Sequence, residues 1–150
     1  MPFAPSDRMI IRRGGKRFTV RFTLEKKENG SAVCKVSSRL PLDLAHWLYD
    51  VGAEEASKYA IVARVGRGQI VGFVRWDERP KTREIQLRGT YVVRGWRGQG
   101  LARQLWEEAL PHFKFKKIWV LSTSRGGGAL VRALIKAHPE FIWDHDPNYL

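Results

Sequence analysis

Between the strand-like run Ile85 to Val93 and an amphipathic helix beginning near Leu101 lies Arg94-Gly95-Trp96-Arg97-Gly98-Gln99-Gly100-Leu101-Ala102. This junction constrains the fold more than any other stretch. Gly98 and Gly100 remove the side chains that would hold an anion away from the main chain. The first N–H groups of the helix then face that anion, with the positive end of the helix dipole behind them. Arg97 adds a fixed cation. The pattern is a strand-loop-helix phosphate cradle.

The 150 residues, 43% of them hydrophobic, suffice for one domain with its own core. We expect a single domain over residues 1–150, with 1–8 as a flexible tail and 9–38 as an N-terminal β-hairpin region. No window approaches the roughly 18–20 apolar residues of a bilayer span, and the first residues lack the apolar run of a secretory leader. The expectation is a cytoplasmic protein with no membrane partner. Cys34 is the single cysteine, which excludes an intrachain disulfide and a cysteine-based zinc cluster. It reads as a small buried hydrophobe. Asp144-His145-Asp146 are adjacent residues that do not converge on one ion, so no metal is expected. The net charge of +12 implies a positive field that concentrates polyanions, nucleic acid foremost.

Phe18, Val20, Phe22 and Leu24 alternate with polar residues as in a half-buried strand. Glu28-Asn29-Gly30 is a hairpin turn signal, and Ala32, Cys34 and Val36 continue the alternation. This hairpin carries Arg12, Arg13, Lys16, Arg17, Arg21, Lys26, Lys27 and Lys35, and so forms the candidate polyanion-facing arm; solvated edge strands collect cations too. Pro41, Leu44, Trp47, Leu48 and Val51 predict a helix over 42–51 that carries His46 and Tyr49.

A second hairpin joins Ala60–Val65 to Gln69–Trp76 through Gly66-Arg67-Gly68. After the turn at Arg79-Pro80-Lys81, the longest strand runs from Arg83 to Val93, with Ile85, Leu87, Gly89, Tyr91 and Val93 on one face. Leu101, Leu105, Ala109, Leu110 and Phe113 form one face of a helix. A strand over Ile118–Leu121, a Gly- and Ser-rich turn over Ser122–Gly128, and a helix carrying Leu130, Val131, Leu134 and Ile135 follow. Phe141–Trp143 is a last strand, and Asp144–Leu150 a polar tail. Trp76, Trp106, Trp119 and Trp143 fall in core patterns, whereas Trp96, inside the loop, is a candidate for base stacking.

The order of antiparallel strands, helix, strand, helix and strand, with Arg97-Gly98-Gln99-Gly100-Leu101-Ala102 at the first helix, resembles the GNAT superfamily of acyl-CoA-dependent N-acetyltransferases. The family signature is Gln/Arg-x-x-Gly-x-Gly/Ala, and Arg97, Gly100 and Ala102 fill its three positions. The resemblance covers roughly Ala60 to Trp143. It implies an α/β (α+β) fold with a mixed, mostly antiparallel central sheet flanked by helices, here with an extra N-terminal hairpin. The cofactor it implies is acetyl-CoA or another acyl-CoA, held by Arg97, Gly98, Gln99, Gly100, Leu101 and Ala102. The pantetheine arm would then follow Tyr91, Val92 and Val93, where an interrupted ladder can offer backbone groups.

Attack by an amine needs the neutral amine, an oxyanion donor and an acid for the leaving thiolate. Glu84 is the candidate base, because it stands thirteen positions before Arg97, the spacing of a catalytic glutamate in histone-acetylating relatives. The same glutamate beside Arg83 and Arg88 also fits a surface ion pair. The second helix has no Tyr where many members carry the acid; Lys136 stands there, which leaves Ser124 and Tyr149 as substitutes, or water. The resulting expectation is N-acyl transfer to an amine on a macromolecular acceptor associated with nucleic acid, such as tRNA, DNA or a ribonucleoprotein. The alternatives are a protein lysine or N-terminal acetyltransferase, and a noncatalytic GNAT-fold module that binds nucleic acid or an acidic protein. A homodimer is compatible with all three.

Overall fold

The computed structural model describes residues 7–26, 59–120 and 125–145. Among these residues one seven-stranded sheet runs in chain order, β1 to β7. Its strands are β1 Arg8–Arg13, β2 Lys16–Lys26, β3 Tyr59–Val65, β4 Gln69–Arg79, β5 Glu84–Val92, β6 Lys117–Val120 and β7 Ile142–His145. The first five form an antiparallel meander, and β6 and β7 add in parallel. Helix α1, Leu101–Ala109, follows β5; helix α2, Arg125–Ala137, connects β6 to β7. This is the mixed, mostly antiparallel α/β sheet expected.

Several local expectations are corrected. The hairpin partner of β2 is β1, through Gly14-Gly15, both at positive φ (58° and 76°) as a two-residue hairpin turn requires. Met9-Ile10-Ile11 hid β1 because three consecutive apolar residues break the alternation. Arg8 therefore belongs to the sheet rather than to a flexible tail, and the Asp7 carbonyl accepts the Phe22 N–H at 2.9 Å. The arm at 32–36, Cys34 and the 42–51 helix with His46 and Tyr49 lie outside the described residues.

Helix α2 begins at Arg125, inside the stretch expected to be a turn. Each glycine in a helix costs about 1 kcal/mol relative to alanine, but the buried Val131 and Leu134 anchor the helix to the core and override that preference. Strand β7 likewise extends through Asp144 and His145, which were expected in the tail. Along β5 the strict alternation fails at one point. Arg75 pairs with Gly89 and Trp76 with Leu87, so Arg88 is an extra residue and the strand changes face there. Ile85 and Leu87 below the bulge, and Thr90 and Val92 above it, all face α1; Val93, expected on the inner face, lies beyond the strand.

Helix α1 lies across β2 to β5. Leu101, Leu105, Trp106 and Ala109 are buried against Val74, Trp76 and Ile85. Its approach is set by Gly72, where an added Cβ would stand 2.9 Å from the Tyr91 carbonyl oxygen and 3.3 Å from Leu105 Cδ1. The first of these neighbours is backbone and cannot yield cheaply. Gly72→Ala is expected to lower the unfolding free energy by about 1–3 kcal/mol through overpacking, measured by urea denaturation.

Candidate functional site

At the C-terminal end of β5 the chain makes a 3₁₀ turn over Arg94–Trp96 and enters α1 through Gly100, whose φ of 83° places it in the left-handed region. Gly98 has φ 82°, and a Cβ added there would meet nothing within 4 Å, so the glycine serves the backbone conformation and leaves open space above it. No side chain caps α1 and no acidic residue stands in its first turn. The first intrahelical bond runs from Gln104 N–H to Gly100 O at 3.0 Å. The N–H groups of Leu101, Ala102 and Arg103 therefore lack helical acceptors and point out of the helix start. Such a terminus suits a phosphate.

A cleft of about 520 Å³ opens here, within the ~300–1,000 Å³ range usual for ligand sites. Gly98, Gly100, Leu101, Ala102 and Arg97 form one side, and Thr90, Tyr91 and Val92 of β5 another. The sequence-derived loop and strand residues are thus brought together, apart from Gln99 and Val93, which do not line the cleft. Four lining residues were missed. Thr90 precedes the expected strand segment, Trp96 and Arg103 adjoin the signature, and Leu130 belongs to the apolar face of α2. Arg97 Nε donates to Val92 O at 2.8 Å, and its guanidinium lies 5.6 Å from the Tyr91 ring centroid, which fixes the cation between loop and strand. Trp106 Nε1 donates to Thr90 Oγ1 at 3.0 Å and holds β5 just past its bulge.

Trp96 is not a stacking platform. It is 3% exposed, meets Phe18 of β2 edge-on at 5.0 Å, and has the Arg13 guanidinium 4.8 Å from its ring centroid. The loop is thereby wedged into the N-terminal hairpin.

The described pairing of β5 with β6 spans Glu84–Leu87. The residues of β5 beyond it lead to the cleft. Glu84 lies at the opposite end of β5, about 26 Å along the strand from Val92. Its Oε2 is 3.7 Å from Lys117 Nζ, which also approaches Asp144 Oδ2 at 3.8 Å. The structure does not bring Glu84 to the phosphate loop. Ser124 and Tyr149 lie outside the described residues.

A second cleft, of about 290 Å³, lies between the end of α1 and the chain after α2. Buried Glu107 accepts from Arg103 Nε at 3.0 Å and stands 2.8 Å from His138 Nε2, while His138 Nδ1 stands 3.1 Å from Glu140. The Glu140 carboxyl is held below its usual range, chiefly by its own backbone N–H and then by His138. This cluster ties the two helices together. Among the described residues no group of His, Cys, Asp and Glu is arranged to hold a metal.

The family model described as the acetyltransferase (GNAT) family matches residues 24–125. The chain belongs to the GNAT acetyltransferase family. No curated protein matches it. Among solved structures, this GNAT chain is similar to a Deinococcus radiodurans R1 protein assigned as an acetyltransferase, with 22% identity and a TM-score of 0.46 over 52% of this chain and 54% of that one. It is also similar to ribosomal-protein-alanine N-acetyltransferase from Brucella melitensis biovar Abortus 2308, with 23% identity and a TM-score of 0.45 over 79% of this chain and 89% of that one. The chain spans about half the length of the first of these. No helix among the described residues is long and apolar enough to cross a membrane.

The wedge gives the GNAT loop a measurable dependence on the hairpin. Trp96→Ala is expected to cost about 3–5 kcal/mol of stability, as for a buried large aromatic. Arg13→Ala, which removes a stacked cation, is expected to cost about 1 kcal/mol or less. Thermal unfolding of the two variants checks the order.

Proposed function

We propose that the protein is an N-acyltransferase that takes an acetyl or related acyl group from acyl-CoA and delivers it directly to an amine of a macromolecular acceptor associated with nucleic acid. The observation that carries the donor is the uncapped start of α1 beside Gly98, where backbone donors, open space and the Arg97 cation coincide. Gly98, Gly100, Leu101 and Ala102 would hold the diphosphate, Arg97 would balance its charge, and Thr90, Tyr91 and Val92 would hold the extended arm. When bound, acetyl-CoA supplies an activated thioester. What supports the acceptor class is the net charge of +12.

The chain's own residues then have separable tasks. The β5 edge beyond Leu87, which has no strand partner on the β6 side among the described residues, would present backbone groups that orient an extended ligand and donate to a developing oxyanion. Glu84, on the face of β5 opposite α1, is the carboxylate assigned to take the amine proton. About three residues, or 10 Å, separate it from Leu87, so water would carry that proton. Ser124 or Tyr149 would return a proton to the leaving sulfur.

Isothermal titration tests the donor. Acetyl-CoA is expected to bind, and Arg97→Glu, which places a carboxylate where a phosphate would lie, is expected to weaken binding at least about tenfold, a loss of about 1.4 kcal/mol. Unchanged or absent binding for both proteins would defeat the enzyme reading.

Steady-state kinetics with an amine acceptor tests the base. Glu84→Gln is expected to lower kcat by about 10²-fold or more, as for a general base, with KM for acetyl-CoA little changed. An unaltered kcat would leave Glu84 only its ion pair with Lys117.

A further inference from the structure

We infer that the outward face of the β1–β2 hairpin is a docking surface for the sugar-phosphate backbone of nucleic acid. Between Arg8 and Leu24 there are six cations and no acid. Their register is unusual. Arg8 stands opposite Arg21, Arg12 opposite Arg17, and Arg13 opposite Lys16, while on its other side Arg21 stands opposite Arg64 of β3. Like charges directly across an antiparallel ladder share a face and destabilise it. The fold nevertheless repeats the arrangement at three of the six β1–β2 pairs, two of which, Arg8/Arg21 and Arg12/Arg17, share the outward face.

Several of these cations are engaged within the chain: Arg64 pairs with Glu25, Arg21 Nη2 donates to Gly66 O at 2.7 Å, and Arg13 lies over Trp96. Arg12 and Arg17 are both exposed, and no acid among the described residues pairs with them. They lie on the face turned away from the core, because Ile11, Val20 and Phe22 occupy the inner one. The Arg8/Arg21 and Arg12/Arg17 pairs stand about 13 Å apart along the strands. Between them are Thr19 and the 46%-exposed Ile10, a hydroxyl and an apolar patch suited to phosphate and sugar.

The choice of cation and its density identify the partner. Lysine is the usual guard of an edge strand, yet all four cations on the outward face, Arg8, Arg12, Arg17 and Arg21, are arginine, whose fork binds phosphate oxygens in pairs. Adjacent guanidinia need a partner of high linear charge. Duplex nucleic acid carries one charge per roughly 1.7 Å of axis, whereas an extended acidic peptide turns one carboxylate to a given side only every 7 Å or so. This surface deepens the acceptor class proposed above and rests on that reading for its use in transfer; docking itself is measured without turnover.

The test uses the full chain, a labelled duplex DNA and a single-stranded RNA of equal length, titrated at several salt concentrations. Arg12→Ser/Arg17→Ser is compared with Lys81→Ser/Lys114→Ser, which removes the same net charge from exposed sites away from the hairpin. Loss of two phosphate contacts is expected to lower the slope of log affinity against log salt by about 1.4 for RNA and 1.8 for DNA, and to weaken binding about 25- to 60-fold at 0.1 M salt. The lysine pair is expected to stay near wild type. Such a loss for either polynucleotide supports the surface. Equal losses in both double variants, or none in the arginine pair, would overturn it. So would polyglutamate or phosphatidylserine vesicles binding as tightly as nucleic acid. Titration of acetyl-CoA against the same proteins separates the readings: retained docking without cofactor binding removes the acyltransferase and leaves the surface, and the converse removes only the surface.

Discussion

A turn that offers its own amides to a ligand cannot use those amides to hold itself in place. The loop between β5 and α1 meets this constraint with one side chain, Trp96, buried against Phe18 of the first hairpin. Gly98 and Gly100 are free to take up left-handed backbone because the residue before them is anchored. Arg97, tied to the Val92 carbonyl, closes the other side. The glycine backbone of the site is thus flanked by a buried indole and by an arginine bonded to the preceding strand.

The second determinant is the distance between α1 and the sheet. Gly72 lets the helix and the neighbouring strand come together, and the Arg88 bulge turns β5 so that Thr90 and Val92 face the same helix as Ile85 and Leu87. A continuous alternation would have turned Thr90 away, and Trp106 would have lost its hydroxyl partner. The bulge and the close approach therefore act together. They point the end of β5 at the start of α1, which is what brings strand and loop residues to one cleft.

Much of this was legible in the residues. The 66–68 turn and the loop glycines are local signals and sit where their pattern indicated; the turn expected at 79–81 falls at 80–83, because β4 keeps Arg79, and the α1 stripe ends at Ala109, with Leu110 in a following 3₁₀ turn. What escaped depended on partners distant in the chain. The three glycines of α2 oppose a helix locally, and only burial of Val131 and Leu134 decides for it. Strand β1 was masked by three consecutive apolar residues whose inner and outer roles are assigned by pairing with β2. Trp96 read as an exposed aromatic because nothing in its own segment reveals Phe18. For Glu84 the spacing to Arg97 was visible, but not the neighbouring Lys117, which comes from a strand paired in parallel.

The hairpin's grip on the loop also bears on where the protein can be trimmed. The family match begins at residue 24, within β2, and stops at residue 125, as α2 starts. A fragment cut to that span would keep every glycine and arginine of the signature. It would lose Phe18 and Arg13, the cover over Trp96, as well as Leu130 from the wall of the cleft. The recognisable motif is shorter than the smallest unit able to hold it in shape, and the excess lies at both ends.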